Sequence, residues 1–274
     1  MPVINTNTAA LNAQNVLKTN SRAMGTAMEQ LSTGTRVNSA KDDAAGLAIG
    51  QTMTAQIRGL NQSVRNANDG INMLQTAEGA MVEQTNMLQR MRELAVQSRN
   101  ATNSDSQRAY LNTEFTELVS QIDSIGSQTK WNTSTVLAAT TLTFQVGVSS
   151  DTTFTVAIAN TSIGSANGGG LAIFSLDITS ASTAAAALDT IDKALDTVNG
   201  QRAQIGATMN RLTYTADNLS NVSANLAASR STIMDTDYAT ASSQLSKNQI
   251  IQQAATAMLA QANQQPQSVL ALLK

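Results

Sequence analysis

Apolar residues recur along this chain in alternating steps of three and four. Runs that keep this beat predict helices with one face that a second helix must cover. Over residues 5–33 the series is Ala10, Ala13, Leu17, Met24, Ala27 and Leu31, with Asn20 in one seam slot; Ser32-Thr33-Gly34-Thr35 ends it. Residues 45–98 carry Met53, Ile57, Leu60, Val64, Ala67, Ile71 and Leu74, then Ala77, Met81, Leu88, Met91 and Ala95 after a repeated three-residue step. That repeat is a stammer, which overwinds a coil locally. Residues 105–127 give a third helix on Leu111, Phe115, Leu118, Ile122 and Ile125, with Asn103, Ser104 or Asp105 available as its cap.

The period then falls to two. Leu142, Phe144 and Val146 alternate, as do Phe154, Val156 and Ile158, with Ser149-Ser150-Asp151 between them. This predicts a β-hairpin over about 141–159. After Gly168-Gly169-Gly170, Phe174, Leu176 and Ile178 predict a further short strand. From residue 182 to 234 the heptad returns on Leu188, Ile191, Leu195, Val198, Ile205, Met209, Leu212, Ala216, Leu219, Leu226 and Ile233, with Arg202, Ser223 and Arg230 in its other slots. Asp235-Thr236-Asp237 caps a last helix over about 237–264, on Leu245, Ile251, Ala254 and Met258, which Pro266 ends or kinks.

The helix lengths mirror one another: short, long, hairpin, long, short. The expected fold is mainly α, an elongated antiparallel coiled-coil rod with a small β-hairpin region and both termini at one end. It divides into a terminal coiled-coil domain, 1–44 plus 235–274, and a helical rod domain, 45–234, which carries the hairpin and a short variable segment at about 159–181. The terminal pair has seams rich in Ala and broken by Asn. Such a pair buries little apolar area against the entropy of ordering it, so these ends are expected to gain order against other copies.

Composition narrows the chemistry. The 274 residues include no Cys and no His, which removes disulfides, thiolate nucleophiles, imidazole bases and their metal sites. Charged residues are 13%, well under the usual share, and aromatics 3%; polarity is supplied by 24 Asn and 23 Gln. Neutral amides repel like copies only weakly, which suits packing against them. A net charge of -2 gives no nucleic-acid footprint. No apolar run is long enough to span a bilayer, and Met1-Pro2-Val3-Ile4-Asn5 does not open a secretory leader. Asp42 and Asp43 read as a helix cap, since no acid partner or cleft accompanies them. Met73, Met81, Met87 and Met91 read as adaptable packing. No catalytic, cofactor-binding or metal residue is expected, and the chain does not read as an enzyme.

Three segments carry a family resemblance. Leu31-Ser32-Thr33-Gly34-Thr35-Arg36-Val37-Asn38-Ser39-Ala40-Lys41-Asp42-Asp43-Ala44-Ala45-Gly46 resembles the N-terminal signature of bacterial flagellin, as does Ile4-Asn5-Thr6-Asn7. Gln89-Arg90-Met91-Arg92-Glu93-Leu94-Ala95-Val96-Gln97 is similar to another segment of that family, and Gln264-Gln265-Pro266-Gln267-Ser268-Val269-Leu270-Ala271-Leu272-Leu273-Lys274 to its C-terminus. The resemblance implies a structural subunit that self-polymerises into the flagellar filament for swimming motility. The terminal helices would form its inner core, after type III export of the unfolded, secreted chain. It implies as partners further copies of the chain, filament cap and hook-junction proteins, an export chaperone at the C-terminal segment and a host Toll-like receptor; it implies no cofactor, nucleic acid or membrane insertion. A hook–filament junction protein, with similar terminal helices, stays open as the alternative. The short 159–181 segment leaves no room for the outer domains many flagellins insert there.

The resemblance also marks residues. Arg90, Leu94 and Glu114 match positions of the receptor-recognition surface. Leu270, Leu272 and Leu273 match the C-terminal leucines read by cytosolic sensors, or serve core packing. Leu17, Met24, Leu31, Leu245, Ile251 and Met258 are the expected polymerisation seams.

Overall fold

The structure is a computed structural model and describes residues 6–138, 140–161 and 170–272, the side chains of 140 and 265–272 excepted. Ile4, Asn5, Gly168 and Gly169 lie outside the described residues. The elements run α1 (Thr8–Thr33), α2 (Ala44–Arg99), α3 (Asp105–Gln128), β1 (Lys130–Trp131), β2 (Ser134–Thr135), β3 (Thr140–Gln145), β4 (Thr153–Ile158), α4 (Ala181–Met234) and α5 (Tyr238–Leu272). The fold is mainly α, with five helices and small antiparallel hairpins, as the heptads and the period-two stretch predict. Two units emerge, one taking in Met1–Ile57 and Ala224–Lys274, the other Arg58–Ser223.

Local chemistry sets the helix ends. Asn7 caps α1 by accepting from the Ala10 amide at 3.0 Å, and Gly34 closes the helix in the left-handed region, at φ 71°. A side chain at Gly34 would be strained there and would also crowd the Tyr238 hydroxyl. Asp43 accepts from the Gly46 amide at 2.8 Å at the start of α2, while Asp42 ties back to the Ser39 amide and hydroxyl. Of the three candidates before α3, Ser104 is the cap. It forms a reciprocal box with Gln107, whose side chain accepts from the Ser104 amide at 2.9 Å.

The Arg58–Ser223 unit holds the large core. Leu74, Met81, Leu88 and Met91 of α2, Phe115 and Ile122 of α3, and Ile191 and Ile205 of α4 are fully buried in it. Arg202 fills its heptad slot by pairing with Glu78 at 2.8 Å, both partners about two-thirds buried. The β3–β4 hairpin has Phe144 opposite Phe154 and Leu142 opposite Val156. It lies on the helices: the Phe144 ring covers Gly70, where a Cβ would meet it at 3.1 Å, and the Arg211 guanidinium stands 4.5 Å over Phe154.

Two expectations are corrected, and one further element appears. Residues 174–178 form no strand. Ile173 and Ile178 are buried, and the Ile178 backbone is held by side chains instead, its carbonyl accepting from the Ser98 hydroxyl and its amide donating to Asn112 Oδ1 at 2.9 Å. Side-chain partners thus replace a ladder. A two-residue hairpin, β1–β2, appears with Asn132 and Thr133 at its turn, both at positive φ. Finally, Pro266 does not end α5, which runs through it to Leu272.

Candidate functional site

Two surfaces follow from this fold. The first is the α1/α5 pair in the unit of the chain ends. Its antiparallel register is fixed at three places. Asn7 Nδ2 donates to the Ala262 carbonyl at 2.7 Å, buried Asn20 Nδ2 donates to the Asn248 carbonyl at 2.7 Å, and Thr35 bridges Asp235. Beside that bridge the Arg36 amide donates to the Met234 carbonyl and the Thr236 amide to the Gly34 carbonyl, so the two interhelical connections pair through backbone.

The seam between the helices is built from small and polar residues. Ala10, Asn20 and Ala27 of α1 and Ala241, Asn248 and Ala255 of α5 are buried. Leu17, Met24, Leu31 and Leu245 are half-buried along the same line. Ile251 is half-buried at its edge, and Met258 stands outside it, 65% exposed. The phase of α5 explains the difference: the inward beat is 241, 245, 248, 252, 255, 259, and Ile251 and Met258 each precede an inward position by one residue. They therefore belong to a second, outward stripe. With Ala9, Ala13, Val16 and Ala254 they line an apolar groove of about 420 Å³. Leu11, Val16, Met28 and Ile250 are exposed on the same two helices.

The second surface lies on α2 and α3. Arg90 Nε donates to Glu114 Oε1 at 2.9 Å and its Nη1 to Glu93 Oε2 at 3.0 Å, all three half-exposed or more. The Glu114 hydrogen bond, and then that of Glu93, raises the Arg90 guanidinium above its ordinary value. Antiparallel packing of α2 and α3 thus brings Arg90 and Glu114 together. Leu94 does not join them: it is 1% exposed, within the core. In this stretch Met91, Leu94, Ala95 and Ser98 are all buried, a wider face than a two-helix seam needs, so position 94 turns inward. The apolar residue left outside is Val96, in a shallow depression with Gln89, Arg92, Glu93 and Gln97. Arg92 there pairs with Asp192 of α4 at 2.7 Å.

The side chains of Leu270 and Leu272, and the whole of Leu273, lie outside the described residues. Among the described residues no cluster of carboxylates could hold a metal ion, and no helix is long and apolar enough to cross a membrane. Sequence periodicity overlooked the outward stripe of α5 as distinct from its seam. The signal was there in the adjacent pairs Ile250-Ile251 and Met258-Leu259, where apolar residues are too frequent for one narrow seam.

Comparison with known proteins gives the family. The bacterial flagellin N-terminal helical region matches residues 4–141, and the bacterial flagellin C-terminal helical region matches 188–273. The flagellin of Halalkalibacterium halodurans is 46% identical over 274 residues, covering 99% of this chain and 100% of that one. The flagellin of Bacillus subtilis is 42% identical over 302 residues, covering 99% of each. A solved flagellar hook-associated protein from Vibrio parahaemolyticus shares the fold alone, with a TM-score of 0.57 over 70% of this chain and 99% of its own at 17% identity. With both helical regions matched in order and relatives aligned from end to end, the chain belongs to the bacterial flagellin family.

Proposed function

We propose that this chain is the repeating structural subunit of a flagellar filament, outside the cell, and that its work is self-assembly and not catalysis. The observation that carries this reading is the apolar stripe that α1 and α5 leave bare after pairing with each other: Val16, Ile251, Ala254 and Met258 around the groove, with Leu11 and Ile250 exposed elsewhere on the same two helices. Two helices cannot cover both their own seam and a second stripe, so further copies must. Residues 1–44 and 235–274 act as the polymerising domain, and 45–234 as the helical rod domain. Leu17, Met24, Leu31 and Leu245 hold the pair together, while Ile251 and Met258 meet the neighbouring copy.

The purified full-length chain should form sedimentable filaments visible by negative stain. Val16→Glu/Met258→Glu, which changes only exposed positions, should keep its helicity and lose sedimentation. Filaments from a chain lacking residues 1–40 and 235–274 would overturn the assignment.

The same reading extends to the life of the subunit. A chain without Cys, and with no Pro between Pro2 and Pro266, threads an export channel unfolded and refolds without disulfide or internal prolyl delays. Its partners are then an export chaperone at the C-terminal segment and the filament cap and hook-junction proteins. A host Toll-like receptor would read the exposed Arg90–Glu114 pair, with Leu94 supporting that surface from beneath. Arg90→Ala/Glu114→Ala should stimulate receptor-bearing cells at least ten-fold less than the parent chain; equal stimulation would remove this part of the reading.

A further inference from the structure

α5 stays helical through Pro266, although proline has no N–H to give. In an α-helix the amide of residue 266 would donate to the carbonyl of residue 262. The Ala262 carbonyl therefore lacks its helical donor, and a backbone group left unpaired where it is partly buried is costly. The structure supplies a replacement from the far end of the chain: Asn7 Nδ2 donates to this carbonyl at 2.7 Å, with the contact partly buried. The other end of the same side chain, Oδ1, accepts from the Ala10 amide at 3.0 Å and caps α1.

We infer that Asn7 is a positioning residue that splices the proline break in α5. One amide group starts the first helix and substitutes for the missing donor of the last, so that α5 continues past Pro266 only where α1 is docked in register. An aspartate at position 7 would still cap α1, and would suit its dipole, but has no donor to offer. A serine would cap but is too short to reach both groups. The requirement for an asparagine, and not merely a capping residue, comes from Pro266. Nothing in this step needs the identity of neighbouring copies; it rests on the filament reading only for the polymer in which exchange is measured.

The test is a double-mutant cycle between Asn7→Asp and Pro266→Ala in the full-length polymerised chain, read by amide exchange in a peptide spanning residues 258–266 and by the temperature at which polymer dissociates. Asn7→Asp alone should speed exchange there roughly ten-fold and lower the dissociation temperature. With Pro266→Ala, which restores an N–H to the helix, the same substitution should change exchange less than about two-fold. A single variant that fails to assemble and is rescued by Pro266→Ala supports the splice equally. An effect of Asn7→Asp that is equal in both backgrounds, absent in both, or not rescued overturns it. Failure of the parent chain itself to polymerise would instead strike at the filament reading.

Discussion

The two units spend their apolar residues in opposite ways. In Arg58–Ser223, Phe115, Leu74, Leu88, Met91, Leu94, Ile122, Ile191 and Ile205 are inside, and helices, hairpin and loop all contribute to one cluster. In the unit of the chain ends the buried positions of α1 and α5 among the described residues are Ala and Asn, while Leu11, Val16, Met28, Ile250 and Met258 face out. The direction in which large side chains point distinguishes these regions. A helix that turns alanine toward its partner in the same chain and keeps its larger residues outward is arranged for contacts beyond that chain. The first unit supports its own fold, and on the function proposed above the second is completed by neighbours.

The sharpest way to break this contrast is to cut equivalent amounts of side chain from each unit. Leu88→Ala, in the closed core, should lower unfolding stability of the free chain by about 2–5 kcal/mol. Met258→Ala, in the outward stripe, should leave the same denaturation curve within about 0.5 kcal/mol and act on polymerisation alone. Urea unfolding of dilute chain, set beside a sedimentation assay, measures both. A large loss from Met258→Ala in unassembled material would mean that the stripe already has a cover.

The next effect concerns register and not strength. Asn20 and Asn248 are buried mid-seam, and the Asn20 amide reaches the Asn248 carbonyl across it. A single buried polar contact of this kind favours one alignment over its heptad-shifted alternatives. Because the chain has no Cys, Ala13→Cys paired with Ala255→Cys, both on the α1/α5 groove, reports the native alignment by disulfide trapping. Asn20→Leu/Asn248→Leu should lower that crosslink and allow Ala13→Cys to trap a cysteine at Ala262, seven residues from Ala255. Unchanged trapping would assign the register to Asn7 and the Thr35–Asp235 bridge alone.

A smaller, local effect sits at the start of α3. Ser104→Ala removes the side-chain half of the capping box with Gln107 and should cost about 1 kcal/mol of stability in the core unit. Ser104→Asp, which restores an acceptor, should recover most of it in the same urea titration.

Much of this was legible before any coordinates. The alternation of three and four residues located all five helices, and Asn20 and Arg202 stood out as polar members of apolar series, each now with a partner across its seam. Period-two alternation placed the β3–β4 hairpin, while the pairing of Phe144 with Phe154 is seen only in the structure. What periodicity could not supply was the number of neighbours around a helix. Leu94 falls on the Arg90 face by spacing, yet α2 is covered on more than one side there, so a position beside the stripe becomes interior. Residues 174–178 alternate like a strand but have no edge to pair with, and Ser98 and Asn112 hold their backbone instead. Pro266 signals a helix end by its own chemistry. Only the distant Asn7 amide makes continuation affordable, and no local window contains both residues.

The smallest expected effect is set by pH, and it separates the units because its source lies at the start of α5. Asp237 accepts from the Thr240 hydroxyl at 2.9 Å and from the backbone amides of Ala239 and Thr240. The Thr240 side-chain bond, and then these backbone bonds, hold its carboxyl below the usual 3.8. The folded state therefore binds this proton less readily than the unfolded one. The cap's contribution is fully present above the ordinary carboxylate value and disappears as pH falls through the lower folded one. Asp42 shifts in the same direction through its bond with the Ser39 hydroxyl, at the other interhelical connection of the same unit. Polymer dissociation temperature should thus be flat from neutral pH to about 5 and fall on further acidification, where these and other bonded carboxylates take up protons. Asp237→Asn keeps an acceptor for the α5 amides but does not titrate. It should sit slightly below the parent near neutrality, with the gap closing as the pH drops past the folded value of Asp237. A gap that widened with acid would place the stabilising charge elsewhere.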